Sequence, residues 1–351
     1  MENVKMSNDY SESTAIKLIH ETYKTQMLLL MNQIKTTDRL KTNKSFVICD
    51  IGCADAKISL PLYVLIIEEI RKENTEIPII LYLNDLPQNN WKSCIDNVES
   101  SLDFDINVFV YTKPKSFYMK LFPNDSVDLF LCLGMLYYLS CEKPPTTPID
   151  YHIYPLLKTI QNDINSKLWF DQAEKDLDLF FSLRREELKE GGNIITGFFG
   201  YSDPPTEDEL KQLKYLTETK LLLLDTLEDY RISSIKDKIT FCQVYRSFYL
   251  YSESISRCSL NMVQSICEKP DFGVCPSTNK QNSVDCAQIA TNFLKAWSEK
   301  IYYSLINSIL NDEDKTREII ESYYTKVNKY FLNNIENYPK NDSRWIIMIR
   351  K

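Results

Sequence analysis

The chain has 351 residues, of which 44% are apolar and 12% aromatic, so it can bury a large core and is long for one simple domain. Acidic residues (49) outnumber basic ones (41), the net charge is −8, and no dense run of lysine and arginine is present. These features disfavour nucleic acid as a partner, because binding it requires a basic surface.

Further exclusions come from the distribution of a few residue types. No run of about 18 uncharged apolar residues occurs, and the first residues lack the apolar segment of a signal peptide. The 10 cysteines form no CxxC pair, which is typical of reduced thiols; a pair among Cys267, Cys275 and Cys286, which flank one loop, is the weaker alternative. Only His20 and His152 are histidines, which disfavours a metal site of several imidazoles. We expect a cytoplasmic protein without a membrane partner or a metal.

The chain begins with a long predicted helix over residues 10–36, where apolar residues recur at helical spacing. Strands and helices then alternate. The predicted strands are 46–50, 78–84, 106–111, 127–133 and 193–199. The predicted helices are 57–73, 87–102 and 169–190, the last of them ended by Gly191-Gly192, and 141–168 is predicted to be irregular.

Strands that alternate with helices predict an α/β fold with a mostly parallel, Rossmann-like sheet and helices on both faces. Helices at about 287–311 and 313–334 follow, and the chain ends in a predicted strand, WIIMIRK. Residues 205–286 are left as a mainly helical insertion. Ligands of open α/β sheets bind outside the carboxyl ends of the strands, so the residues that follow each strand are the candidates for a site.

Those positions carry a consistent set of side chains. Gly52 follows the first strand and allows a ligand to approach the backbone, and Asp85 ends the second strand, where a carboxylate can bind both hydroxyls of a ribose. Ser116 and Phe117 follow the third strand and offer a hydroxyl and a flat apolar face for an adenine. Each residue alone has an ordinary explanation as a turn, cap or core residue. In order, at consecutive strand ends, they predict a pocket for a nucleoside-containing cofactor.

The glycine pattern separates two kinds of cofactor. A dinucleotide needs a G-x-G-x-x-G turn with an acid about 20 residues further on. Here Ala54 and Ala56-Lys57 stand where the later glycines should be, and Asp85 lies well beyond that spacing. S-adenosylmethionine contains adenine, ribose and a zwitterionic tail but no phosphate. The pattern therefore favours a methyl donor, with a nicotinamide dehydrogenase as the weaker alternative.

Longer segments carry a family resemblance. CDIGCADAK, LYLNDLPQNNW, KPKSFYMKLFPNDSVDLFLCLGMLYYLS and LFFSLRREELKEGGNIITGFFG resemble, in this order, the plant-type SABATH carboxyl methyltransferases, such as those of salicylate, jasmonate, benzoate and indole-acetate. NDYSESTAIK and WIIMIRK occupy matching places, so the similarity covers most of the chain. The resemblance implies a class I methyltransferase fold, S-adenosylmethionine as cofactor with S-adenosylhomocysteine as product, a small-molecule carboxylic acid as acceptor, and a homodimer.

The resemblance also assigns residues. Those implied for the cofactor are Tyr10, Thr14, Asp50, Gly52, Asp85, Leu86, Ser116, Phe117 and Cys132. The acceptor side departs from the family: Lys17 stands where a Gln is frequent, Tyr138 where a Trp is common, and Gly134 where a Tyr is found. The predicted substrate-binding residues are Lys17, Tyr137, Tyr138 and Gln243, with Tyr245 beside the last.

The implied reaction is an in-line displacement at the methyl group by a carboxylate oxygen. A carboxylic acid is already ionised near pH 7, so no general base is needed and the residues act by positioning only. Alternatives are methylation of a nitrogen or oxygen of another small metabolite, and a degenerate methyltransferase fold kept as a binding or dimer module. The predicted domains are an N-terminal lid helix (1–40), the Rossmann-like core (41–204 and 287–351) and a cap over the acceptor pocket (205–286).

Overall fold

The fold is described from a computed structural model, which covers residues 23–25, 27–29, 31–32, 39–102, 105–140, 164–232, 246–268, 280–334 and 344–351. The strands are β1 (Phe46–Ile51), β2 (Ile79–Asp85), β3 (Val108–Pro114), β4 (Val127–Leu133), β5 (Leu188–Tyr201), β6 (Arg246–Ser247), β7 (Asn261–Glu268) and β8 (Arg344–Arg350). The helices are α1 (Arg39–Thr42), α2 (Leu60–Glu73), α3 (Trp91–Leu102), α4 (Ile164–Glu187), α5 (Glu207–Asp229), α6 (Phe248–Arg257), α7 (Lys280–Leu310) and α8 (Glu313–Asn333). Residues 23–25, 27–29 and 31–32 are also helical, within the predicted helix 10–36.

One sheet organises the molecule, with the strand order β3-β2-β1-β4-β5-β8-β7 and the short β6 beside β5. The strands from β3 to β5 run parallel. β8 lies antiparallel between β5 and β7. The predicted α/β fold with a mostly parallel sheet is confirmed.

Helices cover both faces of this sheet. On one face the cluster includes Tyr23 and Met27 of the N-terminal helical residues, Ile66 of α2 and Val98 of α3. On the other face α4 contributes Phe180, in a cluster that also contains residues of α6. β1, in the middle, is buried along its whole length, as expected of a parallel strand covered on both faces.

Three helices form a separate apolar cluster. Residues of α5, α7 and α8 pack together, and Tyr215 stacks on Phe331 with ring centroids 4.9 Å apart. The predicted cap segment 205–286 contains α5 of this cluster. It also contains β7, which pairs with β8 and so extends the main sheet.

The predicted end of one helix is wrong. Gly191-Gly192 does not stop a helix, because α4 ends at Glu187 and both glycines lie inside β5. The carboxylate of Glu187 accepts hydrogen bonds from Leu121 N and Phe122 N, which fixes the end of α4 against the loop before β4. Gly191 has φ +70° in a part of β5 where the register with β4 is shifted, so it serves an irregular strand.

Within the residues that the structure covers, no helix is both long enough and apolar enough to cross a bilayer.

A substitution at Gly197 in β5 tests the contact between the sheet and Tyr23 of the N-terminal helical residues. An added Cβ would overlap the ring of Tyr23, so Gly197→Ala is expected to lower the free energy of unfolding by about 1–3 kcal/mol, as overpacking does. Urea unfolding measures this loss. In a Tyr23→Leu background the same substitution should cost markedly less, since the ring that meets the new methyl group is gone. Equal losses in the two backgrounds would contradict this packing.

Candidate functional site

Strand register brings the predicted cofactor residues to one edge of the sheet. Ile51 pairs with Asn84, Asp85 pairs with Pro114, and Leu133 pairs with Gly197. The described residues predicted for the cofactor, Asp50, Gly52, Asp85, Leu86, Ser116, Phe117 and Cys132, all lie at or just beyond these carboxyl ends. Four other predicted site residues, Tyr10, Thr14, Lys17 and Gln243, lie outside the described residues, as does Tyr245.

The loop after β1 turns sharply at Gly52. Its φ is +75°, and an added Cβ would overlap the side chain of Met135, so both the conformation and the space require glycine. The amides of Gly52 and Cys53 both donate to the carbonyl of Asn84, at 2.8 and 3.0 Å. The loop is thereby tied to the end of β2.

Asp85 holds the same loop from its side chain. Its Oδ2 accepts a hydrogen bond from Ala54 N at 2.8 Å, and its Oδ1 accepts one from Leu86 N at 2.7 Å. Burial raises the pKa of this half-buried carboxyl, and the two amide bonds oppose that rise. An ionised carboxylate has about four lone-pair sites, so Asp85 retains capacity to accept bonds from a diol.

Asparagine side chains fix the backbone around this position, a role that the sequence analysis did not assign. Asn89 donates to the carbonyl of Ala54 at 2.7 Å, and Asn97 donates to the carbonyl of Asp55 at 2.9 Å. Asn84 donates to the carbonyls of two residues near the end of β3 at 2.7 and 2.8 Å. Asn84 and Asn89 lie in the asparagine-rich stretch NDLPQNNW, which is the sequence signal for their part of this network.

Asp50 lies beneath the loop rather than at its surface. Its side chain is 2% exposed and accepts hydrogen bonds from the hydroxyls of Tyr63 and Ser59. Burial is the main cause that raises the pKa of the Asp50 carboxyl to about 6, against the hydrogen bonds, which lower it. Asp50 therefore supports the first turn of the site from below.

The segment after β3 continues the site next to Asp85. The amide of Lys115 donates to the carbonyl of Asp85 at 2.9 Å, and Ser116 and Phe117 follow, both half-buried. The ring of Phe117 lies against Tyr118, with centroids 4.5 Å apart, and meets Phe180 edge-on at 6.0 Å. The segment that carries Phe117 is thus tied to the backbone of Asp85, and the ring is fixed by its two aromatic neighbours.

A fully buried ion pair anchors this segment, and it was not predicted from the sequence. Arg184 Nε lies 2.8 Å from Glu187 Oε2, with both side chains 0% exposed. Arg184 donates to the carbonyls of Phe117 and Met119 at 2.9 and 3.0 Å. Its charge also lies over the ring of Phe130, 5.2 Å from the centroid.

The end of β4 forms the adjoining wall. Cys132 is fully buried in the core, and its carbonyl accepts a hydrogen bond from Thr196 Oγ1 at 3.1 Å. Gly134 has φ +82°, and the space where its Cβ would lie is open. Tyr137 and Tyr138 are half-buried, with ring centroids 4.6 Å apart.

The chemistry around the first loop fits a cationic nucleoside better than a pyrophosphate. The amides of Gly52, Cys53 and Ala54 already donate to protein oxygens, so they are not available to cradle a phosphate. The carboxyls of Asp50, Asp55 and Asp85 stand around the loop; each attracts a positive group when ionised and repels a phosphate. S-adenosylmethionine has a ribose diol, an adenine and a positively charged sulfonium, and the residues present fit it.

The fold is that of the class I methyltransferases, and the residues at the strand ends suit their cofactor. A sequence profile of the family described as SAM dependent carboxyl methyltransferase matches residues 5–238. The chain belongs to this family, as the SABATH resemblance predicted.

Particular relatives agree with this assignment. The chain is 28% identical over 180 residues to anthranilate O-methyltransferase 2 of Zea mays, covering 45% of this chain and 47% of that protein. It is 26% identical over 183 residues to salicylate/benzoate carboxyl methyltransferase of Arabidopsis thaliana, covering 48% and 47%. The matches thus span about half the length of the relatives. The solved structure of loganic acid methyltransferase with SAH superposes with a TM-score of 0.75 at 17% identity, over 99% of this chain and 98% of that one, which shows a shared fold.

Because the carboxyl of Asp50 is buried, we expect the free energy of unfolding to depend on pH in a specific way. The native group, with a pKa of about 6, holds its proton to higher pH than the unfolded one, whose pKa is 3.8. The native state therefore binds more protons between about pH 4 and pH 6, and the stability from this group falls as the pH rises through that window. The loss reaches about 3 kcal/mol at most, at about 1.4 kcal/mol per pKa unit.

Urea unfolding of the wild type and of Asp50→Asn from pH 4.5 to 7 measures this effect. The wild type should lose stability relative to the variant as the pH rises through about 6, and the difference should level off near pH 7. Asp96→Asn, at an exposed position of α3, is the control and should run parallel to the wild type. Parallel profiles for Asp50→Asn would show that Asp50 does not titrate in this range.

Proposed function

We propose that this chain transfers a methyl group from S-adenosylmethionine to the carboxylate oxygen of a small apolar or aromatic acid. The observation that carries the proposal is the meeting of Asp85, the Gly52 turn and the Ser116-Phe117 segment at neighbouring strand ends. This set offers a carboxylate for a diol, a close backbone approach and an aromatic face. Membership of the carboxyl methyltransferase family supports the reaction type.

On this proposal each cofactor residue has a defined task. Asp85 accepts hydrogen bonds from the ribose hydroxyls, with Leu86 beside it, and Phe117 provides the face for the adenine, with Ser116 as a polar neighbour. Gly52, supported by Asp50, lets the backbone approach. Tyr10 and Thr14 would cover the cofactor from the N-terminal segment, and Cys132 would offer its backbone. Bound S-adenosylmethionine supplies a methyl group activated for displacement.

The acceptor is proposed to bind beside the end of β4. Tyr137 and Tyr138 form an aromatic wall there, the open space at Gly134 gives room for a small acid, and Lys17 and Gln243 are the further candidates. The Tyr138 hydroxyl would donate to one carboxylate oxygen, while Lys17 would attract the negative charge. Because the acid is ionised near pH 7, these residues align it and exclude water rather than remove a proton. An overly strong grip would stabilise the bound acid as much as the transition state and add nothing to turnover.

We extend the proposal to the setting of the protein. The helical part of 205–286 would cover the acceptor pocket, and two copies would form a homodimer, as the family resemblance implies. All seven cysteines that the structure describes are thiols, which suits the reducing cytoplasm.

Calorimetry tests cofactor binding in isolation. S-adenosylmethionine is expected to bind the wild type with a dissociation constant in the micromolar range. Asp85→Asn should weaken binding about tenfold or more, because it removes charge-assisted hydrogen bonds to the ribose. The matched control is Asp96→Asn, whose carboxylate makes only an exposed pair with Lys92, and which should bind like the wild type. A wild type that shows no binding at high micromolar cofactor would exclude the proposed activity.

A second experiment identifies the acceptor atom. A panel of small aromatic and aliphatic acids is incubated with the protein and methyl-labelled S-adenosylmethionine, and products are analysed by mass spectrometry. Methyl esters are expected, while the corresponding amides, which lack a carboxylate, should give no ester. Label on a nitrogen or a phenolic oxygen would replace the carboxylate proposal with the alternative methylation, whereas binding without any turnover would favour a binding module.

A further inference from the structure

The segment that follows β4, residues 134–140, is irregular, so its position depends on hydrogen bonds from other parts of the chain. Gly134 N donates to the carbonyl of Gly197 at 2.7 Å, and Tyr138 N donates to the carbonyl of Met135 at 3.2 Å. Side chains of distant elements, Tyr118 and Asp176, also hold the segment. Since Tyr137 and Tyr138 are the proposed acceptor wall, whatever orients this segment shapes the acceptor pocket.

Helix α4 holds the far end. Asp176, 1% exposed, accepts hydrogen bonds from Ser140 N at 2.7 Å and from Ser140 Oγ at 2.6 Å. Gln172 on the same helix donates to Asp176 Oδ1 at 2.9 Å and so fixes the carboxylate itself. This contact sets where the segment leaves the site.

The loop after β3 holds the middle. The hydroxyl of Tyr118 donates to the carbonyl of Tyr138 at 2.6 Å. Burial raises the pKa of Tyr118, even though the nearby Arg246 guanidinium opposes the rise, so the hydroxyl stays protonated and able to donate. Tyr118 directly follows Phe117, and the two rings are in contact. The loop that presents the proposed adenine face is thus also bonded to the proposed acceptor wall.

We infer that Tyr118 is a positioning residue for the acceptor: its hydroxyl fixes the backbone of Tyr138 and so sets the place of the Tyr137-Tyr138 wall relative to the cofactor. The inference rests on the proposed function. The Tyr118 hydroxyl bonds to a backbone carbonyl of that wall, so it acts on the acceptor through Tyr138 rather than as a catalytic residue. Its removal should disturb use of the acceptor far more than binding of the cofactor.

The test is Tyr118→Phe, which removes the hydroxyl and keeps the ring beside Phe117. Using an acid that the wild type methylates, we expect kcat/KM for the acceptor to fall about tenfold, mainly through a higher KM, because the Tyr138 carbonyl loses its partner. The dissociation constant of S-adenosylmethionine should stay within about twofold. Tyr111→Phe is the matched control, since it removes the hydroxyl of a half-exposed tyrosine on β3.

A second readout does not depend on turnover. In hydrogen–deuterium exchange of the full chain with S-adenosylhomocysteine, Tyr118→Phe should speed exchange in peptides covering 134–140 but leave 46–56 unchanged. Unchanged acceptor kinetics, unchanged exchange, or an equal loss of cofactor affinity would each overturn the role of Tyr118. Failure of the wild type to bind cofactor would instead refute the proposed function, so the two failures are distinguishable.

Discussion

The buried ion pair of Arg184 and Glu187 is the constraint on which the proposed site depends most. Removing two charges from water is costly, and the cost is offset only when each charge is well bonded. Here the pair bonds the backbone of an irregular loop, with Arg184 donating to two carbonyls and Glu187 accepting from two amides. The two amides, those of Leu121 and Phe122, are buried and would otherwise lack these partners. The pair therefore determines the shape of the loop that carries Phe117 and Tyr118.

Asp50 and Asp85, at neighbouring strand ends, show how different degrees of burial give identical side chains different roles. Asp50 is 2% exposed and accepts hydrogen bonds from the hydroxyls of Tyr63 in α2 and Ser59 just before it, so it supports the loop. Asp85 is half-buried and bonds two amides with part of its lone pairs, so it can order the loop and still face a ligand. The same residue type thus serves structure in one place and, on the proposed function, recognition in the other.

Much of the fold and of the cofactor side could be predicted from the sequence, because both follow from local periodicity and from one topological rule. Strand ends in a parallel sheet meet at one edge, so Gly52, Asp85 and Phe117 had to converge. The parts that could not be predicted depend on contacts between distant segments. Arg184 and Glu187 resemble solvated charges of an amphipathic helix until the loop of Phe117 is folded onto them, and Gly191 resembles a helix stop until its register with β4 is known.

The same distinction explains why the acceptor is harder to infer than the cofactor. The proposed cofactor side is built from hydrogen bonds between side chains and backbone, such as those that join Asp85 to Ala54 and Asn97 to Asp55. The proposed acceptor wall is instead made of side chains of a segment whose backbone is held by Tyr118 and Asp176. Exchanging Tyr138 for another large side chain would leave the backbone bond from Tyr118 in place and still change the pocket. A stable cofactor site can therefore coexist with a variable acceptor site on one fold.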